Sequence, residues 1–407
     1  MAPHPSDAGR LVLAAPDRDA HPDALFDLLG RVFSDRGGYA RWRDVCRDSW
    51  ILPGHYDWAT SRVGFLGDRL VTHFGVWNRR MRIGSALVRV AGVGGVATDG
   101  HHRRRGYMDR TARSAIAAMR DAGYHLSILF GIRDFYRRYG YVRAWPVVVY
   151  TVDLADLPDG GPRGRLRRFK PVARDDVARL YNRACRGLTG TAVRPTYSEG
   201  TLMAELEGYR WTDAAGRLRG YVIIDTRPKT FRCVEAVGPP VEVLGVLKRL
   251  ARRRAWGEVT FQTLHDGSPL IRHLRQGNCR AETQYLRSGR AMVRTIHLAS
   301  ALEAMVGELG RRLAASPLAK WRGRLRVDDG REAVTLAIDR SRIRVASEGA
   351  SNHAIRGGDE VAQLLIGTDD PETTVAAAGM ELAGDAPHLV HVLFPRQDPM
   401  MSLRDRF

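Results

Sequence analysis

The sequence predicts an α/β protein with an α+β end: two consecutive α/β sandwiches followed by a smaller module of strands and helices. Apolar strands alternate with amphipathic helices in the first part of the chain, and that order returns after a turn-rich basic run. Near Thr295 the pattern changes once more. With 407 residues the chain is also too long for one ordinary core, and divides into units of about one to two hundred residues each.

In chain order, Leu11-Val12-Leu13 reads as a short strand, and Ala24, Leu25, Phe26, Leu28, Leu29, Val32 and Phe33 recur at helical spacing. Strands at 62–66 and 70–77 flank Gly67-Asp68, a two-residue hairpin signal. Residues 87–98 supply an apolar strand, 105–123 a helix and 126–130 a further strand. The run 157–168, Leu-Pro-Asp-Gly-Gly-Pro-Arg-Gly-Arg-Leu-Arg-Arg, reads as a linker. Beyond it a helix (175–188), strand (218–226), helix (241–254) and strand (258–263) repeat the first unit's order without its glycine-rich loop, as a degenerate second copy would. The last part offers a helix (298–313), a hairpin (323–336) turning on Asp328-Asp329-Gly330, a strand (342–346) and helices at 359–366 and 371–378, a layout resembling an α+β lipid carrier. The expected domains are 1–155, 156–293 and 294–407.

The formal charge is +19, yet only four of 64 basic residues are lysine. An arginine skew of that kind follows from a GC-rich genome, and no basic helix, zinc-finger spacing or RNA-binding aromatic signature accompanies it, so no nucleic-acid partner is expected. Cys46, Cys185, Cys233 and Cys279 lie far apart without a Cys-x-x-Cys pair, which suggests reduced core residues and neither a metal site nor a disulfide framework. The start, Met-Ala-Pro-His-Pro-Ser-Asp, lacks a signal peptide's basic and apolar regions, and no stretch approaches eighteen apolar residues. The expectation is a cytoplasmic protein with no membrane partner.

Chemistry concentrates in Val93-Gly94-Gly95-Val96-Ala97-Thr98-Asp99-Gly100-His101-His102-Arg103-Arg104-Arg105-Gly106-Tyr107-Met108. An apolar strand running into Arg-Arg-Arg-Gly at a helix start gathers backbone N–H groups, the positive helix end and cationic side chains at one point, which suits a pyrophosphate. Gly106 lets phosphates approach the main chain. About thirty residues on, Asp134-Phe135-Tyr136-Arg137-Arg138-Tyr139-Gly140-Tyr141 reads as a short helix ending at glycine before a new strand. His101 and His102 point in different directions and read as solvated loop residues.

Residues 96–108 resemble motif A of the GNAT N-acetyltransferases, Arg/Gln-x-x-Gly-x-Gly/Ala, with Met108 in place of the last small residue. Residues 135–141 resemble that family's tyrosine-bearing element. With the chain length, the apparent second unit and Phe407, the likeness narrows to the Eis (enhanced intracellular survival) type. That resemblance implies tandem GNAT-like acyl-CoA N-acyltransferase domains followed by a sterol-carrier-protein-like α+β domain, acetyl-CoA as co-substrate, and a homo-oligomer, a hexamer in that family. It implies Tyr136 as the acid for the departing thiolate and the α-carboxylate of Phe407 as general base. CoA contacts fall by correspondence on Val96, Ala97 and Thr98, on Arg104, Arg105, Gly106, Tyr107, Met108 and Asp109, and on Gly131 and Ile132. Thr98-Asp99-Gly100 departs from the family's apolar residue and proline. Aminoglycosides or lysine side chains are the acceptor classes implied, so the partner expected is a small-molecule or peptide amine. From the residues themselves, Asp35, Trp42, Asp44, His55, Tyr56, Asp57 and Trp58 form an aromatic-acidic stretch that reads either as a pocket for a cationic amine or as a loop with ordinary packing aromatics. The rival reading is a non-catalytic CoA- or lipid-binding carrier.

Overall fold

A computed structural model describes residues 9–162, 164–169, 175–195, 206–226, 231–346 and 351–407. Strands β1 (Val12–Ala14), β2 (Arg62–Leu66), β3 (Arg69–Ile83), β4 (Ala86–Thr98) and β5 (Leu126–Gly131) lie side by side in the first sheet. β2 and β3 turn over Gly67-Asp68, with Leu66 opposite Arg69, as the hairpin signal predicts. β4 and β5 are parallel and joined by α3 (Tyr107–Asp121), which buries Ala112, Ala115, Ala118 and Met119 against the sheet. The opposite face carries α1 (Pro22–Phe33), begun by proline at its first position and burying Leu25, Phe26, Leu28 and Leu29. After it comes α2 (Tyr39–Val45), which leads into a single wide turn over Cys46–Trp50.

The first sheet closes with two more strands, Arg290–Thr295 beside β5 and then Val142–Arg143. A second seven-stranded sheet has the same plan, with Arg232–Val237 and Glu258–Gln262 parallel about the Pro240–Arg252 helix. Its place beside Glu258–Gln262 is taken by Val147–Asp153 from the first part of the chain. Sheet membership therefore crosses the expected borders at 155 and 293, each unit lending one strand to the other. Each exchanged strand lies inside its host sheet, Arg290–Thr295 between β5 and Val142–Arg143, and Val147–Asp153 between Glu258–Gln262 and Arg280–Gln284, so the two units interlock.

The remainder is an α+β module whose five-stranded sheet includes the hairpin of Arg322–Asp328 with Ala333–Asp339. Two of its strands, His353–Arg356 and Glu381–Ala383, and its last helix, Ala386–Leu393, carry no clear sequence signal. The Leu298–Ala314 helix packs on β4, so this module and the first sheet share one continuous apolar core. Glu308 on that helix accepts hydrogen bonds from the Ser85 N–H and hydroxyl at 2.9 Å and pairs with Arg312 at 2.8 Å. Among the described residues no helix is long and apolar enough to cross a membrane. Cys46, Cys185 and Cys233 are buried and free, and Cys279 is partly exposed.

Candidate active site

The site arises where β4 and β5 part. Their parallel pairing runs from Val90 opposite Leu126 to Val93 opposite Leu129, while both strands continue beyond it. At the parting point β4 carries one extra residue against β3: Gly75 faces Gly94, and His73 faces Ala97. Gly95 takes φ +57 there, a left-handed conformation that glycine adopts without strain. The bulge shifts the alternation, so Val96 joins Val93 on the α3 face while Ala97 turns to the other.

His73 holds this bulge. Its Nδ1 lies 2.7 Å from the Gly95 carbonyl and its Nε2 2.8 Å from the Tyr56 hydroxyl. A carbonyl only accepts, so Nδ1 carries the proton and Nε2 accepts from Tyr56. Burial, partly offset by the Gly95 contact, drops the imidazole to about 4, keeping it neutral at physiological pH.

Beyond the splay the chain forms a phosphate-loop shape. Asp99 is buried, accepts from the His101 N–H and meets Arg69 at 2.9 Å and Arg31 at 3.3 Å. Burial works to raise its carboxyl, but the His101 N–H and the arginines hold it below the usual range. The departure at Thr98-Asp99-Gly100 is thus a side-chain cap on the turn that follows. Arg104 at φ +63 and Gly106 at φ +74 are both left-handed, and Gly106 opens α3. The first turn of α3 leaves backbone donors without partners in the helix.

A cleft of about 1120 Å³ runs from this loop through the splay. Of the residues singled out in the sequence, Val96, Thr98, Arg104, Gly106, Tyr107, Met108, Asp109, Gly131, Ile132, Tyr136 and Phe407 line it. Ala97 is buried on the far face of β4, and the exposed Arg105 is outside the lining. His102 and Arg103, earlier assigned to solvent or to charge alone, do line it.

Tyr136 is buried beneath Gly131, where a Cβ would come within 2.4 Å of its ring. Burial, aided by Tyr141 and Tyr139, pushes its phenol up, so it holds its proton at neutral pH. Phe407 approaches from the opposite face. A Cβ at Gly92 would lie 2.3 Å from its ring, and one at Gly94 2.7 Å from its carboxyl carbon, so this pair of glycines forms its seat. Its ring also packs on Phe130, centroids 5.7 Å apart.

The tail reaches that seat because the second unit grips it. Arg194 pairs with Asp405 at 2.8 Å and with Glu235 at 2.5 Å, and its guanidinium lies 3.5 Å over the Tyr181 ring. Ser402 donates to Glu235 at 2.5 Å, and the Leu403 N–H to the Thr263 hydroxyl at 3.3 Å. All the charged members are buried. Burial opposes Glu235's charge, but Arg194 holds its carboxyl low. No motif marks these residues in the sequence, since they meet only through the fold.

The aromatic-acidic stretch is mostly structural. Only Trp42 lines the cleft. Asp35 is exposed, Asp44 pairs with Arg47 at 2.8 Å, and Asp57 accepts from the Tyr124 hydroxyl at 2.6 Å. Tyr56 and Trp58 pack edge to face, and His55 is partly buried, brought down to about 4 by burial and Arg79.

A parallel pair splayed over a phosphate-loop helix defines an α/β acyltransferase class of fold. Residues 17–144 match the domain family described as acetyltransferase (GNAT) domain, a family whose co-substrate is acetyl-CoA. Solved structures extend the likeness of fold over the whole length. A GCN5-related N-acetyltransferase from Anabaena variabilis is 16% identical with a TM-score of 0.74, covering 98% of this chain and 100% of its own. One from Kribbella flavida is 19% identical with a TM-score of 0.71, covering 98% of both. Eis1 from Mycobacterium abscessus is 14% identical with a TM-score of 0.65, covering 98% of this chain and 100% of its own. No curated protein sequence gives a significant match.

Proposed function

We propose that this protein transfers the acetyl group of acetyl-CoA to a primary amine by direct attack within the β4–β5 cleft. The observation that carries the reading is the convergence of a phosphate loop, a protonated Tyr136 and the Phe407 carboxyl end on one cleft from two faces of a sheet. The phosphates of CoA rest on the N–H groups from Arg104 to Asp109, with Arg103 and Arg104 adding charge. The pantetheine amides extend the sheet along the free edge of Gly94–Thr98, with Gly131 and Ile132 across the gap.

The amine nitrogen attacks the thioester carbonyl and a C–N bond forms. The C–S bond then breaks, its electron pair leaving with sulfur. The Phe407 α-carboxylate accepts the proton lost by the attacking nitrogen, and Tyr136 delivers one to the thiolate. Because burial keeps the Tyr136 phenol protonated at neutral pH, it has a proton in place to give and cannot serve as the base, which supports that division of labour.

The Eis-type assignment, a hexameric assembly, and a sterol-carrier-like role for residues 294–407 belong to this reading through resemblance. The carrier alternative predicts bound CoA without turnover. Tyr136→Phe provides the test: kcat should fall by about one hundredfold, the lower range for a lost general acid, with KM for acetyl-CoA nearly unchanged. Unaltered kcat, read from released thiol, would remove Tyr136 from the mechanism.

A further inference from the structure

The two faces of the splay differ in chemistry, and that difference bears on the acceptor. Alternation along β5 puts Leu129 and Gly131 on the α3 face with Tyr136, and Ile128 and Phe130 on the face covered by α1 and the tail. The acceptor side is walled by Val32, Phe33, Trp42, Trp50, Phe130 and Phe407. Phe33 packs on Trp42 with centroids 5.2 Å apart, and Trp50 stacks on Trp77 at 4.7 Å. Among the described residues the only acidic side chain in the whole cleft is Asp109, on the α3 side, and it pairs with Arg113 at 2.9 Å.

The unsatisfied groups on the acceptor side are donors. Trp50 Nε1 and Arg406 Nε are buried without a hydrogen-bond partner among the described residues. The Arg406 guanidinium lies 4.2 Å over the Phe130 ring, beside the seat of Phe407. Burial and the nearby Arg290 bring it down to about 10, so it remains a cation at neutral pH. A polycation entering here would meet arginine and indole N–H groups where it needs carboxylates. An aromatic body fits the walls, and a carboxylate supplies the acceptor atoms those donors lack.

Resting on the acetyl-transfer reading, we propose that the acceptor is a monoamine with an aromatic body and a carboxylate close to the amine, the chemistry of an aromatic α-amino acid. The carboxylate pairs with Arg406, the ring lies among Phe33, Trp42 and Trp50, and the amine faces the Phe407 carboxyl group. Four amines separate the possibilities when the full chain is assayed with acetyl-CoA and the acetylated product is weighed: phenylalanine, phenylethylamine, spermidine and an aminoglycoside. The expected kcat/KM for phenylalanine exceeds that for phenylethylamine by about tenfold, the value of one charge-assisted contact, and exceeds both polycations by more. In Arg406→Gln the ratio of phenylalanine to phenylethylamine falls towards one. Preference for spermidine or the aminoglycoside overturns the inference while leaving acetyl transfer standing, as does a ratio that Arg406→Gln leaves unchanged. Acetylation of none of the four, with CoA binding intact, overturns the acetyl-transfer reading and the inference together.

Discussion

The two units share a seven-strand plan and treat its central gap in opposite ways. In the first, β4 and β5 part after Val93 and Leu129 and leave a cleft backed by a loop with two left-handed residues. In the second, the parallel strands pair only at Arg232 with Thr260 and Cys233 with Phe261, and residues 402–405 of the same chain fill the space beyond. The helix that follows begins at Pro240 after Gly238-Pro239, with no arginines at its start and two prolines that carry no N–H. Without a phosphate loop, the second gap holds residues 402–405, and the tail held there brings Phe407 against Gly92 and Gly94 in the first. Two units of one plan thus differ in that one opens a cleft and the other grips the tail that reaches it.

Breaking that grip should have the largest effect. Arg194→Met leaves Glu235 and Asp405 buried and opposed, and is expected to cost about 3–5 kcal/mol, the usual result of removing one partner from a buried ion pair. Urea unfolding measures it, and a loss under 1 kcal/mol would show that the tail is held by other contacts. Histidine titration follows in size. Folded His73 takes up a proton only near pH 4 and the unfolded chain near 6.5, so stability is full above 6.5 and falls as pH drops towards 4, by about 3 kcal/mol. The partly buried His55 acts in the same direction. Replacing His73 with Asn should remove part of that pH slope in urea midpoints, and an unchanged slope would contradict its neutral, proton-donating role at Gly95. Smaller in stability but sharp in activity, Gly94→Ala puts a methyl 2.7 Å from the Phe407 carboxyl carbon. Turnover should fall at least tenfold while the melting temperature moves little, whereas wild-type turnover would mean the seat tolerates displacement.

Much of the first unit was legible because its signals are local. Gly67-Asp68 specifies a two-residue turn, and Arg105-Gly106 ahead of Tyr107–Asp121 marks a helix start whose geometry needs a left-handed residue. The tyrosine element before Gly140 was equally readable, since Gly140 adopts φ +76 where the segment ends. The strand exchange was not legible: Val147–Asp153 and Arg290–Thr295 have ordinary strand composition, and nothing local says which sheet each joins. The sequence left the Asp35–Trp58 stretch open between an amine pocket and a packing loop for a related reason. Its carboxylates look available in sequence, but Asp57 is engaged by Tyr124, a partner set by the fold, and Asp44 pairs locally with Arg47. The Arg194, Glu235 and Asp405 cluster joins residues distant along the chain, beyond the reach of any motif.

The most direct measurement of the account is turnover and CoA affinity in a chain lacking Phe407. The carboxyl end would then stop at Arg406, short of the Gly92–Gly94 seat, while the phosphate loop and Tyr136 stay in place. Acetyl transfer should fall by about one hundredfold or more, as expected for a lost general base, with the Kd for CoA within about twofold of the intact chain. Full turnover without Phe407 would contradict the claim that the second unit holds the tail in order to complete the site in the first.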